Sequence, residues 1–544
     1  MSIRPAPLSA SAVVSARLVA ALVTAFGLAQ PALAQAPASQ SLPSTAAPAE
    51  TTFRLNDVRL KGVTAMDEQE LHQLAAPYLG REVNLAELQA LAQAITTQYR
   101  EHGYFLAQAI IPVQQVKDGV VEISVIEGRL GQVNVTVAPD APITAERVRA
   151  FLAAVPVGEA VNAAAYERAM LLLSDQPGIK VTSGLQQGVT TGTVDLAVEV
   201  VAARRWSFVA EADNHGTLET GRWRLGGTAR WNSPAGVGDN LDARLMVSDR
   251  GLTFGRLGYE LPLGGSGLRL GLGVARVQYE IGGAFGPLDA HGQADIVDAS
   301  LNYPVIRQRN QNLMARLVLE SKHLKDDYRA VGVSLGKRVN DVGLGWAWDR
   351  RDNWWGGGYF ASSGTLYSGH LSIQDAGAEA VDQGAGGLHT AGGFSRLVFQ
   401  FSRLQSIAPR HTLYYSIGGQ WASKNLDASE KLALGGARAV RAYAASEALV
   451  DQGWIQTIEW RWSATDEFTP YLFFDAAHGR QAKHPLVIAD NAISLRGAGL
   501  GLSWGKPGDF SVNATLAWRT GTRRGLADGG GRNPRFFIQA QKAF

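Results

Sequence analysis

From residue 206 onward the chain alternates apolar and polar residues with period two, and this habit restricts its fold more than any other feature. WSFVAEAD sets Trp206, Phe208, Ala210 and Ala212 on one face and Ser207, Glu211 and Asp213 on the other. DARLMVSD repeats the habit, and TIEWRW opposes Ile458, Trp460 and Trp462 to Thr457, Glu459 and Arg461. FSVNATLAWRT opposes Phe510, Val512, Ala514, Leu516 and Trp518 to Ser511, Asn513, Thr515 and Arg519. Such alternation makes a strand with one apolar face. Aromatic-rich faces on strand after strand fit a transmembrane barrel, where lipid-facing residues alternate with lumen-facing ones and closure removes the unpaired edge. A soluble β-sandwich competes, and it requires the apolar faces to meet in a core.

Residues 206–544 make 339 positions. A tilted spanning strand takes about 10 residues and its connection about as many again, so about sixteen strands fit. A barrel of that size holds water rather than a packed interior, so something must occupy or gate its lumen.

Upstream, Arg4 and Arg17 precede the apolar run LVAALVTAFGLA (18–29), followed by Pro31-Ala32-Leu33-Ala34-Gln35. These are the parts of a secretory signal peptide, 1–34, cut after Ala34. The run is too short to span about 30 Å of hydrocarbon as a helix. Residues 35–52, rich in Pro, Ala, Ser and Thr, read as a flexible linker. With 51 basic and 49 acidic side chains, nucleic acid is not expected as a partner. The absence of cysteine suits a chain that crosses an oxidising compartment without cross-links.

Between linker and barrel the pattern is mixed. FRLNDVRLKG predicts a strand, Thr64 with Asp67 a capping box, and Asn84 with Glu87 a second one. The second helix carries Leu85, Leu88, Leu91, Ile95 and Tyr99 as one stripe and stops at Gly103. YFLAQAIIPV and VVEISVIEG flank the turn Lys117-Asp118-Gly119. The same β-α-α-β-β order returns once, through LGQVNVTV, ITAERVRAFLAAV, NAAAYERAMLLL, IKVTSGL and TVDLAVEVV. The units are 53–128 and 129–203, ahead of a barrel at 204–544.

LGGARAVRAY (434–443) does not read as a solvated loop. Gly435 and Gly436 allow a sharp bend, Leu434, Val440 and Tyr443 make an apolar tip, and Arg441 needs an anion. An Arg fork fixes orientation as well as attraction. The candidate partner is Asp475 in YLFFDAAHG, on the inner face opposite Phe474.

Several motifs in order resemble the two-partner secretion transporters, the haemolysin secretion/activation family, which is related to the barrel-assembly insertases. YREHGYFLAQAIIPVQ with DGVVEISVIEGRLG, including Gly103, Tyr104, Pro112 and Gln114, resembles the family's first polypeptide-transport-associated (POTRA) domain. DNHGTLETGRWR resembles its first barrel hairpin through Asp213, Asn214, Gly216, Thr220 and Gly221. LNYPVIRQRNQNLMARLVLESKHLKDD and DQGW resemble later barrel stretches, and the terminal Phe544 resembles outer-membrane barrels. In this family a sixth extracellular loop, here near 434–453, folds into the lumen, and the Arg of its V-R-G-Y/F tip pairs with the Asp of F-x-D-x-G. The match falls on Val440, Arg441, Ala442 and Tyr443 and on Phe473, Asp475 and Ala477, with alanine twice where glycine is expected.

The resemblance implies two POTRA domains in the periplasm, a barrel of about sixteen strands in the outer membrane, and secretion without ATP. It implies as partners a large exoprotein with an N-terminal secretion domain, outer-membrane lipid, and periplasmic chaperones and barrel-assembly machinery during biogenesis. A barrel-assembly insertase is the alternative. A small-solute porin leaves 53–203 without a purpose. No catalytic residue, metal or cofactor is predicted: GLSWGKP lacks the leading Gly and the Ser/Thr of a P-loop, no G-x-S-x-G accompanies His478, and His389 and His411 read as loop residues.

Overall fold

The computed structural model describes residues 51–486, 491–527 and 532–544. The signal at 1–34, and the linker at 35–52 apart from its last two residues, lie outside the described residues.

In the first α/β unit the strand Asp57–Lys61 turns Val58 and Leu60 inward. It runs parallel to Val120–Ile126, and Gln108–Ile110 pairs antiparallel on the other side. Two helices, Glu68–Ala75 and Leu85–Glu101, complete the unit. The second begins with a reciprocal Asn84–Glu87 capping box and buries Leu88, Leu91, Ile95 and Tyr99. Leu85 is exposed, because the first helical position lies ahead of the turn that meets the sheet. The first helix is capped by Asp67, whose carboxylate accepts from the Gln69 N–H. Thr64 is no part of that cap: its N–H and hydroxyl donate to the buried Glu127 at 2.6 and 2.5 Å.

The strand expected through YFLAQAIIPV shrinks to three residues. Pro112 has no N–H for the ladder. Beyond it the Gln114 amide continues the pairing, donating to Glu122 O at 2.7 Å and accepting from Glu122 N at 2.8 Å.

The second unit repeats the plan. Arg129–Val137 lies parallel to Thr193–Ala202, and Ile179–Gln187 antiparallel to it. Its helices Ala145–Leu152 and Ala163–Ser174 are capped by Thr144 and Asn162. Each unit has its own apolar core. This unit is keyed to the barrel's nearer rim. Asp175 forms a bidentate pair with Arg307 at 2.7 Å twice, Arg168 donates to Pro304 O at 2.6 Å, and Arg147 to Pro262 O at 2.6 Å.

Sixteen antiparallel strands, from Trp206–Asp213 to Arg535–Ala543, close into a barrel. The last strand pairs with the first from Gln539↔Asp213 to Ala543↔Val209, and the Phe544 N–H adds a bond to Phe208 O. Trp206, Phe208, Ile458, Trp460, Trp462, Trp518 and Phe536 all point outward and remain exposed. Closure with an aromatic outer surface is incompatible with a sandwich, whose apolar faces would meet inside.

Candidate functional site in the barrel lumen

The chain between Ala422 and Gln452 is the sixth connection at the rim away from the α/β units, and it folds back into the barrel. Leu432–Ala433 pairs with Leu449–Val450, making a narrow stem that carries residues 434–448 as a tip. Gly436 has φ +107°, which a side chain would strain, and a methyl on Gly435 would collide with the Ala444 carbonyl. The tip is closed by Gly436 N–H to Tyr443 O and Val440 N–H to Leu434 O, each 3.0 Å. Leu434, Val440 and Tyr443 are buried against Phe473, Ala477, Ile493, Leu495 and Ala517 of the wall.

Arg441 points into this apolar contact and is 7% exposed. The strand Phe468–Arg480 alternates, so that Phe474 faces out while Phe473 and Asp475 face in. Asp475 is fully buried. Its Oδ2 accepts the Arg441 backbone N–H at 3.0 Å and Nε at 2.8 Å, and its Oδ1 accepts Nη2 at 2.7 Å. The remaining terminal nitrogen, Nη1, donates to Glu459 Oε1 at 2.7 Å. The other Glu459 oxygen is held by Arg461 at 2.8 and 2.6 Å, and Thr457 donates to Asp475 Oδ1 at 2.9 Å. Phe473 lies flat beneath the guanidinium, with Cζ 3.5 Å from the ring centroid. Arg441, Asp475 and Glu459 are therefore buried together with every arm of the Arg441 fork satisfied, and the half-buried Arg461 covers the outer Glu459 oxygen. That is the condition under which a buried ion pair holds a defined geometry instead of destabilising it.

Alanine at 442 and 477 causes no backbone strain, since neither is among the described residues with positive φ. The Ala442 methyl occupies space that position 497 leaves open by being glycine. A Cβ on Gly497 would stand 2.6 Å from the Ala442 Cβ. The tip is tied to a further connection through Tyr443 OH to Arg523 O at 3.0 Å and Glu447 to the Leu526 N–H.

The first-hairpin residues gather at the barrel's seam, away from Arg441. Asp213 takes both ends of Arg224 at 2.8 and 3.0 Å. Asn214 accepts from Ile538 N at 2.8 Å and donates to Phe536 O at 3.1 Å, stitching first strand to last. Thr220 offers its carbonyl to Ser248, and the Gly216 N–H bonds the Arg222 carbonyl beside Gly221. Among the POTRA-like residues, Gly103 accepts the Ala163 N–H at 2.8 Å and so joins the two units. Tyr104 packs edge-on to Tyr99. His478 faces away from Asp475 and bonds Ser494, while His411 opens a strand and stacks on Trp460. Sequence reasoning placed Glu459 on the inner face but did not pair it with Arg441. Alternation alone gives a residue's side, not its depth. Gly497 carried no signal, because its role is a missing side chain.

A model of the haemolysin secretion/activation protein ShlB/FhaC/HecB matches residues 192–504, more than half of the chain, and a ShlB-type POTRA model matches 53–128. The heme/hemopexin transporter protein HuxB of Haemophilus influenzae is 28% identical over 459 residues, covering 82% of this chain and 80% of its own. The outer membrane transporter CdiB of Dickeya dadantii is 22% identical, covering 86% and 82%. Among solved structures, CdiB from Escherichia coli superposes with a TM-score of 0.73 at 20% identity over 92% of this chain and 93% of its own. BamA from Haemophilus ducreyi lacking POTRA domains 1–3 gives 0.53 at 14% identity over 90% and 100%.

Proposed function

The chain belongs to the haemolysin secretion/activation protein family, and from that membership we propose how its parts divide the work of secretion. It is an outer-membrane barrel of two-partner secretion with its POTRA region in the periplasm, and its task is to export a partner protein. The POTRA units, 53–128 and 129–203, capture the exoprotein unfolded, by its N-terminal secretion domain, through strand addition at their sheet edges. The client then threads the lumen and folds outside, and that folding draws it through. Periplasmic chaperones and the barrel-assembly machinery deliver the transporter itself, and lipid surrounds its aromatic outer face.

The lumen loop is the gate, and Arg441 with Asp475 is its latch. The observation that carries this reading is the buried Arg441 fork, every arm of which finds an acceptor on the wall. A loop of no consequence would leave so costly a charge in solvent. Export assayed in cells with Arg441→Ala tests it. Secretion falls while the barrel stays inserted; undiminished secretion counts against the latch. Likeness of fold alone carries the insertase alternative, and nothing in the lumen site favours it.

A further inference from the structure

A second charge cluster lies where the loop enters the lumen. Glu430 ends the short turn Ala428–Glu430 and is buried. Lys322 Nζ, from the strand Gln311–Tyr328, is 2.8 Å from Glu430 Oε1. Arg396 Nη2, from the strand Gly392–Ala408, is 2.8 Å from Oε2. Glu320 stands 2.7 Å from Lys322, and the Arg396 guanidinium lies 4.2 Å above the Tyr367 ring. Asp341, from the strand Val333–Asp352, is 5% exposed and reaches the same two cations only at 3.9 and 3.8 Å. Neither of its oxygens accepts a hydrogen bond among the described residues, Glu430 Oε2 meets Arg396 as an ion pair without a hydrogen bond, and Arg396 Nε donates none.

The charge count explains this arrangement. Lys322 and Arg396 face Glu320, Asp341 and Glu430, so the docked cluster carries one anion too many. Without the loop the wall retains two cations and two anions and is balanced. A buried carboxylate left without a hydrogen bond is unfavourable in the docked state. Its use is in the undocked one, because removing one partner of a buried pair leaves an uncompensated charge. Asp341 has to close only about 1 Å on each cation to reach the distance Glu430 now holds.

We propose that Asp341 is a relay carboxylate: it takes over Lys322 and Arg396 from Glu430 when the loop withdraws, and so lowers the barrier to opening the pore. The proposal rests on the loop being the gate. The two arrangements form a two-state element that the loop biases.

The test compares full-length protein in planar bilayers and in export assays, with insertion checked by heat-modifiable gel migration. Asp341→Asn keeps the shape and removes the charge; pore openings become about tenfold rarer or fewer, and secretion slows with them. Glu430→Gln inserts normally, because Asp341 then pairs with both cations, and it opens more often than the parent. A merely structural Asp341 would move the first result the other way, toward a looser loop. Openings in Asp341→Asn as frequent as in the parent, or its failure to insert, overturn the relay. If Glu430→Gln and Arg441→Ala both leave the current at the parental level, the gate reading fails and the relay with it.

Discussion

Asp475→Ala removes the acceptor of four donors at once: the Arg441 backbone N–H, its Nε and Nη2, and the Thr457 hydroxyl. Of its anionic partners Arg441 keeps Glu459, through Nη1, and its guanidinium still lies over Phe473. Deleting one partner of a buried ion pair costs about 3–5 kcal/mol. The orphaned backbone N–H belongs to the same loss and is not added to it. At about 1.4 kcal/mol per tenfold, the docked loop loses a factor of about 10² to about 4 × 10³ relative to the withdrawn one. Arg441→Lys keeps the charge but loses the fork, and falls between parent and Asp475→Ala. In planar bilayers the variant barrel opens far more often than the parent, while heat-modifiable migration stays that of a folded barrel. Export in cells falls, because a client that threads past a loop without a resting position leaks or stalls. Parental open probability together with parental export would refute the reasoning, since the loop would then be held by something other than this pair.

Deleting 53–128 abolishes capture of the exoprotein in a pull-down while leaving the barrel inserted; normal capture would remove the first unit from the mechanism. Gly497→Ala places a methyl 2.6 Å from that of Ala442 and displaces the tip, raising pore current. Ala442→Gly in the same chain restores the parental current, a coupling that independent sites would lack. In the first unit, burial alone would raise the Glu127 carboxyl, but hydrogen bonds from Thr64, Ala65 and Tyr99 outweigh it and hold the pKa below its ordinary value of 4.5. A depressed folded value means stabilisation that is fully present above the ordinary value and is lost as pH falls from there through the folded one. The midpoint of the far-ultraviolet helical signal on heating therefore drops between about pH 7 and about pH 4, and Glu127→Gln shrinks that difference.

The barrel was legible because one physical rule, lipid outside and water inside, acts on every strand and writes period two into the sequence. Trp460 and Glu459 declare their sides by alternation alone. The repeat of β-α-α-β-β was legible for a similar reason, since Asn84 and Glu87 satisfy a local need within one turn. The cap at Thr64 misled because its hydroxyl answers a residue far along the chain, Glu127. Length in sequence separates the loop residues from most of their partners in the lumen as well. Glu430 meets Lys322 and Arg396, from strands separated by two others in the wall, only because the loop folds back into the lumen. The motif around Arg441 pointed to Asp475, but Glu459, Phe473 beneath the guanidinium, and the glycine that admits Ala442 are facts of depth and of shape.

The most direct test of the account uses a photo-crosslinking amino acid at two positions on neighbouring strands. Tyr414 lies beneath Arg461, 4.3 Å from its guanidinium, on the lumen side, whereas Trp460 faces outward. In cells actively exporting the partner, the account predicts that the crosslinker at Tyr414 captures the client in transit and that the one at Trp460 captures none. Capture at Trp460 and none at Tyr414 would place the route outside the lumen and contradict it.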